Sequence, residues 1–209
     1  SDLLDASSWT STNELSYDTS WIAEDGKIFK QWLEGNVVVD PQGNIVNVLR
    51  VDENTYGGVS AIARVTSSTK LTFDSQKDII NLPGGGKKYT LRYDSISKKY
   101  WTLTNVEFDQ DRNASHSGIY NKGIHTGLLR NRLVLLSSDD LRTWIQVDTL
   151  LSSNNPFFHG FQYLDWQIDG NDLVAVSRMA YDRHDGLPER QHDANYFTFH
   201  RFADFRNKK

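Results

Sequence analysis

The stretch Trp32–Asp52, WLEGNVVVDPQGNIVNVLRVD, decides how the rest of the chain is read. Its apolar runs Val37–Val39 and Ile45–Leu49 flank Asp40-Pro41-Gln42-Gly43-Asn44, a cluster of turn-forming residues, and so predict a β-hairpin. Glu34 stands just before the first expected strand and Arg50 at the exit of the second. An antiparallel hairpin brings its open ends together, which sets a carboxylate beside a guanidinium at one end of a sheet. Such a pair is either a surface salt bridge or part of a site, and the remaining sequence decides between them.

Outward from the hairpin the same punctuation recurs. Val59–Thr66 runs into Ser67-Ser68-Thr69-Lys70 and resumes at Leu71-Thr72-Phe73, and Tyr89–Tyr93 and Tyr100–Thr104 flank Asp94–Lys99. Arg132–Ser137 and Trp144–Leu151 flank another polar turn. Phe161–Ile168 and Leu173–Met179 flank Asp169-Gly170-Asn171-Asp172, and Tyr196–Phe202 is a last expected strand. Before the hairpin, Asp2–Ser8 reads as a turn or helical corner, and Asp25-Gly26 as a turn leading into Lys27–Leu33. No segment carries the 3.6-residue periodicity of a long amphipathic helix. Short strands joined by Gly, Asn, Asp and Ser turns make the chain all-β, as a sandwich, a barrel or a propeller. Strong hairpins recur roughly every 40–50 residues, the length of a four-stranded blade, which favours a β-propeller with about four blades here.

The 209 residues include 12% aromatics, with 6 Trp. That richness suits β-structure and contact with carbohydrate, whose flat faces stack on rings. A net charge of -4, without a basic stretch interleaved with aromatics, argues against nucleic acid as a partner. Zero cysteines exclude a disulfide framework and thiolate metal sites and leave export open. No run is long and apolar enough for a membrane span. The segments Asn105–Leu128 and Tyr181–Asn195 read as functional or mobile loops. Their histidines (His116, His125, His184, His192) lack a metal-ligand spacing, so no metal and no cofactor is expected, and a place on the rim of a site suits them better.

The most specific local signal is Ser137-Ser138-Asp139-Asp140-Leu141-Arg142-Thr143-Trp144. It resembles the Asp-box, Ser-x-Asp-x-Gly-x-Thr-Trp, of the sialidase superfamily of β-propellers, with Leu141 in the place of Gly. The Asp is expected to cap the turn between outer strands with the Trp packed beneath it, a mark of fold and not of activity. The resemblance implies a propeller of six blades in the complete protein, with residues 1–209 as its C-terminal blades. The opening hairpin is then similar to the sialidase stretch N-E-N-x-V-V-E-L-x-D-G-x-L-L-x-N-x-R at Glu34, Val37-Val38, Gly43, Asn47 and Arg50. By that resemblance Glu34 is the general base beside the nucleophile, and Arg50 is one of three arginines that hold a substrate carboxylate. Arg130-Asn131-Arg132 resembles the segment of a second such arginine, with Arg130 favoured because Arg132 lies nearer the strand. Phe161-Gln162-Tyr163-Leu164-Asp165, before the Asp169-Gly170 turn, resembles the sialidase segment Tyr-Ser-Asp-Leu and places the nucleophile at Tyr163. His159 and His192 are the candidates for rim contacts with substrate.

These residue types fit the chemistry that the resemblance implies. An N-acylneuraminic acid carries a carboxylate on the carbon under attack, so a neutral Tyr hydroxyl avoids the repulsion that an anionic nucleophile meets. With a free pKa of about 10, a Tyr needs a base nearby, and a Glu can serve. Arginine forks match a carboxylate through two charge-assisted hydrogen bonds. Each residue also suits a purely structural role: Glu34 as the partner of Arg50, Tyr163 as a packed strand aromatic, both arginines as strand-end charges. Sialidases also carry an Arg-x-Pro-like arginine and an acid/base Asp upstream, and neither is found before Trp32. The expected partners are therefore an acidic glycan, sialylated or uronate-containing, and an N-terminal remainder of the same propeller. A periplasmic or extracellular location is the expectation that goes with such substrates. The rival expectations are a hydrolase or lyase for another acidic sugar such as a uronate, and a non-catalytic glycan-binding propeller.

Overall fold

The computed structural model describes residues 2–21, 28–53, 58–115 and 124–208. The expected Asp25-Gly26 turn and His116 lie outside the described residues. The strands form three antiparallel sheets among the described residues. The first runs β1 (Phe29–Val39), β2 (Ile45–Glu53), β3 (Val59–Ser67) and β4 (Lys70–Thr72), with β5 (Ile79–Asn81) also paired to β3. The second runs β6 (Thr90–Asp94), β7 (Lys99–Asn105), β8 (Arg132–Ser138) and β9 (Ile145–Ser152). The third runs β10 (Gly160–Asp169), β11 (Asp172–Ala180) and β12 (Tyr196–Phe202).

Each sheet is a meander, and the first strands of the three sheets stand side by side. Asn36 on β1 donates to the Tyr89 carbonyl at 3.2 Å and accepts from the Leu91 N–H at 3.0 Å. Thr90 on β6 donates to the Leu164 carbonyl of β10 at 2.9 Å, and the Trp166 indole donates back to the Thr90 carbonyl at 2.8 Å. Successive meanders ranked along their first strands are the blades of a β-propeller, the all-β fold that the spacing predicts. Three sheets appear where the hairpin spacing leads to about four. Residues 2–21 contribute a 3-10 turn at Ala6–Ser8 and no strand.

Alternation with period two builds the seams between sheets. Val46 and Val48 on β2 and Ile62 on β3 pack against Tyr89, Leu91 and Tyr100 of the second sheet. Trp101, Leu103, Leu133 and Leu135 of the second sheet pack against Phe161, Leu164, Trp166 and Leu173 of the third. The second sheet is covered on both faces, which is why β8 is buried along its whole length. Each such side chain, fully buried, contributes about 1.5–3 kcal/mol.

Carboxylates fix the turns. Asp40 accepts from the N–H groups of Gln42 at 3.0 Å and Asn44 at 2.8 Å, closing the opening hairpin where the sequence places its turn. In the turn between β8 and β9, Asp140 accepts from the N–H groups of Arg142 at 2.8 Å and Thr143 at 2.7 Å. The Trp144 indole there donates to the Leu141 carbonyl at 3.0 Å. Leu141 holds φ 66°, the left-handed conformation that a Gly would adopt without strain. The motif register puts the capping carboxylate at Asp139; the structure puts it at Asp140, and Asp139 instead pairs with Lys99 at 2.7 Å.

At the end of the chain, Arg206 grips the turn between β6 and β7, with Nε and Nη2 donating to Asp94 at 2.7 and 2.9 Å. Arg206, followed by the Ser97 hydroxyl and N–H, holds the Asp94 carboxyl far below the usual carboxylate range despite its burial. A depressed folded-state pKa contributes stability that is present above the unfolded value of about 3.9 and is lost as pH falls through the folded value. Arg206→Gln is therefore expected to lower the melting temperature at neutral pH. It should also flatten the loss of stability below about pH 4, as read from thermal melts recorded across the acid range.

Candidate functional site

The tight turns that join the first two strands of each sheet lie at one end of the blades. At the opposite end the entries to β1, β6 and β10 converge with the loops that precede β8 and follow β11. The opening hairpin forms as expected, but β1 begins at Phe29, so Glu34 lies within the strand and not before it. The pairing steps from Trp32↔Val51 to Gly35↔Leu49, which makes a one-residue bulge that contains Glu34. Glu34 accepts from Arg50 Nη1 at 3.1 Å, the pairing that the hairpin geometry predicts. Arg50 Nε also donates to the Gly86 carbonyl at 3.0 Å, which fixes the plane of the fork. Beside Glu34, a Cβ at Gly35 would sit 2.1 Å from Asn47 Oδ1, so a larger residue there would need the Asn47 side chain to move.

Tyr163 is set up in the same way on the third sheet. The pairing of β10 steps from Gln162↔Arg178 to Asp165↔Val176, again with one residue too many. Tyr163 takes φ 55°, a left-handed conformation that is costly for a side chain of this size. The bulge turns its ring toward two guanidinium groups, with Cζ of Arg130 at 5.5 Å and Cζ of Arg178 at 5.0 Å from the ring centroid. Its hydroxyl makes no hydrogen bond among the described residues, to Glu34 or to any other group.

Arg130 is the most unusual residue here. Only 4% of it is exposed, yet its Nε and Nη1 are buried without a hydrogen-bond partner. Burial pushes its pKa down to about 10, with Arg50 and Arg178 adding to the effect and Tyr163 and Glu34 opposing it. All the residues that act on Arg130 are thus neighbours in one electrostatic cluster. Arg132 is spoken for: it donates to Asp111 through Nε at 2.5 Å and Nη2 at 3.2 Å and lies over the Phe108 ring. Of the two arginines in Arg130-Asn131-Arg132, the one with free donors is the one that the sequence favours.

Asn105, at the end of β7, holds this arrangement. Its amide nitrogen donates to the carbonyls of Arg130 at 3.2 Å, Arg132 at 3.0 Å and Phe161 at 2.7 Å, joining the second sheet to the third two residues before Tyr163. Against Asn105 lies Gly84, at φ 75°, where a Cβ would meet the Asn105 carbonyl at 2.4 Å. The glycine run opens onto Lys87, fully buried and bonded to Glu107 at 2.8 Å. Burial depresses the Lys87 ammonium, Glu107 opposes that, and Arg130 and Arg50 reinforce it.

The histidines are placed otherwise. His159 is buried between the Ser153 hydroxyl at 2.6 Å and the Asp182 carboxylate at 2.7 Å and stacks on Tyr181, so it braces the loops that flank β10. His192 is half-buried with Nδ1 at 3.1 Å from Asp193, and its carbonyl accepts from the Gln162 amide at 2.7 Å beside Tyr163. No group of three His, Asp or Glu side chains among the described residues is arranged to hold a metal ion. No described helix is long and apolar enough to cross a membrane.

The structure thus gathers Glu34, Arg50, Arg130 and Tyr163 and gives His159 a packing role. Sequence reading misses Arg178, Lys87, Glu107 and Asn105. The run Pro83-Gly84-Gly85-Gly86-Lys87 is the one local signal that points to any of them. Asn105→Ala removes a donor from three buried carbonyls and should cost about 1–3 kcal/mol in denaturant unfolding. Asn105→Asp, which replaces that donor with an acceptor, should cost at least as much.

No protein-family model and no curated protein matches the chain. Solved structures do. A Penicillium chrysogenum alpha-L-arabinanase complexed with arabinobiose is 14% identical, with a TM-score of 0.48, over 85% of this chain and 48% of that one. The alpha-L-arabinofuranosidase Arb93A from Fusarium graminearum is 10% identical, with a TM-score of 0.48, over 85% of this chain and 47% of that one. A GH43 beta-1,3-galactosidase is 15% identical, with a TM-score of 0.41, over 85% and 43%. The chain spans about half the length of the first of these solved structures, 48% of it.

Proposed function

We propose that this chain carries the nucleophile, the base and a carboxylate-binding part of a retaining exo-glycosidase of the sialidase type, acting on a terminal N-acylneuraminic acid. The observation that carries this reading is Arg130, buried with Nε and Nη1 unpartnered beside the ring of Tyr163. A buried guanidinium without a counter-charge is costly, and a substrate carboxylate would supply both the charge and the acceptors. Arg50, held by Gly86 and Glu34, supplies a second fork on the neighbouring sheet.

In this mechanism Tyr163 Oη forms a bond to the anomeric carbon as the bond to the leaving oxygen breaks. The Tyr163 proton passes to Glu34, and an acid from an upstream segment protonates the leaving oxygen. Water, activated by that second group, then releases the sugar. Glu34 rests on Arg50 in the free site, and catalytic hydrogen bonds commonly tighten only when substrate is bound. The reading carries with it an upstream part of the propeller, which supplies the acid and a further arginine, and a periplasmic or extracellular location.

In the full-length protein, Tyr163→Phe and Glu34→Ala are each expected to lower turnover of a fluorogenic sialoside by at least about 100-fold. Turnover by Tyr163→Phe equal to that of the unmodified protein would end this mechanism. Release of uronate and not of sialic acid, across a substrate panel, would assign the site to another acidic sugar. Glycan binding without release from either would leave a binding propeller.

A further inference from the structure

We infer that Arg178 is a specificity-determining residue of this site, whose guanidinium pairs with the carboxylate of the bound sugar. The inference rests on the acidic-sugar reading given above and adds a residue that the family resemblance does not supply.

The argument begins with how the chain treats its other arginines. Arg64 pairs with Asp40, Arg92 with Asp165, Arg132 with Asp111, Arg142 with Asp78, and Arg201 with Asp169 and Asp172. Arg50, Arg112, Arg183, Arg190 and Arg206 have carboxylate partners as well. Among the described residues only Arg130 and Arg178 have neither an ion pair nor a side-chain hydrogen bond, and both lie over the ring of Tyr163. In a chain with a net charge of -4, where carboxylates outnumber cations, two unpaired guanidinium groups at one tyrosine are not a surface accident.

The ring face alone does not satisfy them. An exposed cation–π contact contributes about 0.5–1 kcal/mol and leaves the five donors of a guanidinium unused. Two like charges held over one ring also repel each other until an anion arrives, and Arg178 adds to the pressure on buried Arg130. The two differ in exposure, since Arg130 is buried whereas Arg178 stands exposed on β11 across from Gln162. Arg178 therefore meets a ligand from the solvent side while Arg130 meets it from below. A planar, two-oxygen anion is the group that a guanidinium fork matches best.

The test is equilibrium binding by calorimetry, in the full-length protein, of N-acetylneuraminic acid and its methyl ester, and of glucuronic acid and its methyl ester. The esters keep the sugar and remove the charge. The unmodified protein should prefer one acid over its ester. Arg178→Gln should weaken that acid by about 10- to 100-fold and leave the ester within about twofold, with Arg178→Lys in between. Equal weakening of acid and ester marks a structural role and overturns the inference. An acid preference that survives intact in Arg178→Gln overturns it while the acidic-sugar reading stands. An unmodified protein that binds acid and ester alike overturns both.

Discussion

The side-chain amide of Asn105 is the contact on which the site depends. A single nitrogen answers three main-chain carbonyls, two just before β8 and at its start, and one in β10. Those carbonyls sit in a crowded, dry junction, where an unanswered acceptor is expensive. Satisfying all three fixes the distance between the loop that carries Arg130 and the strand that carries Tyr163. The Phe161 N–H, donating to the Arg130 carbonyl at 2.8 Å, locks the same junction from the other side. Among the described residues no regular ladder joins one sheet to the next, so side chains such as Asn36, Thr90 and Asn105 do the joining.

The electrostatics follow from that framework. Arg50, Lys87, Arg130 and Arg178 bring four positive charges toward one end of the blades, and Glu34 and Glu107 return two negative ones. The positive excess stands in a chain that is acidic as a whole. Keeping cations together in a poorly solvated place opposes folding, so the arrangement persists only because packing elsewhere outweighs it. An anion placed there would meet its strongest attraction at the buried Arg130, where solvent screens least.

Much of this was legible in the residues, for reasons that can be named. The opening hairpin is local, and period-two alternation with a Pro/Gly turn specifies its register. Pairing of Glu34 with Arg50 follows from that register alone. The difference between Arg130 and Arg132 has a physical cause: strand β8 is buried on both faces, so a charge at its start must find a partner, which Asp111 supplies. What did not show was anything that depends on one sheet meeting another. Asn105 is a single polar residue at a strand end, Arg178 an ordinary charge on an alternating strand, and Lys87 a cation in a basic pair with Lys88. Their importance arises from neighbours far away in the chain, and no local pattern marks that. The shift from Asp139 to Asp140 in the capped turn is the same lesson on a smaller scale, since two adjacent carboxylates are equivalent on paper and only turn geometry selects one.

Both Glu34 and Tyr163 occupy the extra residue of a bulge, and this determines the phase of the strands around them. In β10, Phe161 on one side of the bulge and Leu164 and Trp166 on the other all reach the same apolar seam. Strict alternation from Phe161 would send residue 163 into that seam as well. The inserted residue is what lifts Tyr163 out of the core while its neighbours keep their places in it. Deleting one residue on either side would thus do more than shorten the strand. It would shift the in–out frame and turn the tyrosine from a displayed group into filling. The chain holds positions 34 and 163 in insertions in the pairing code, a property of residue count that no substitution at either can mimic.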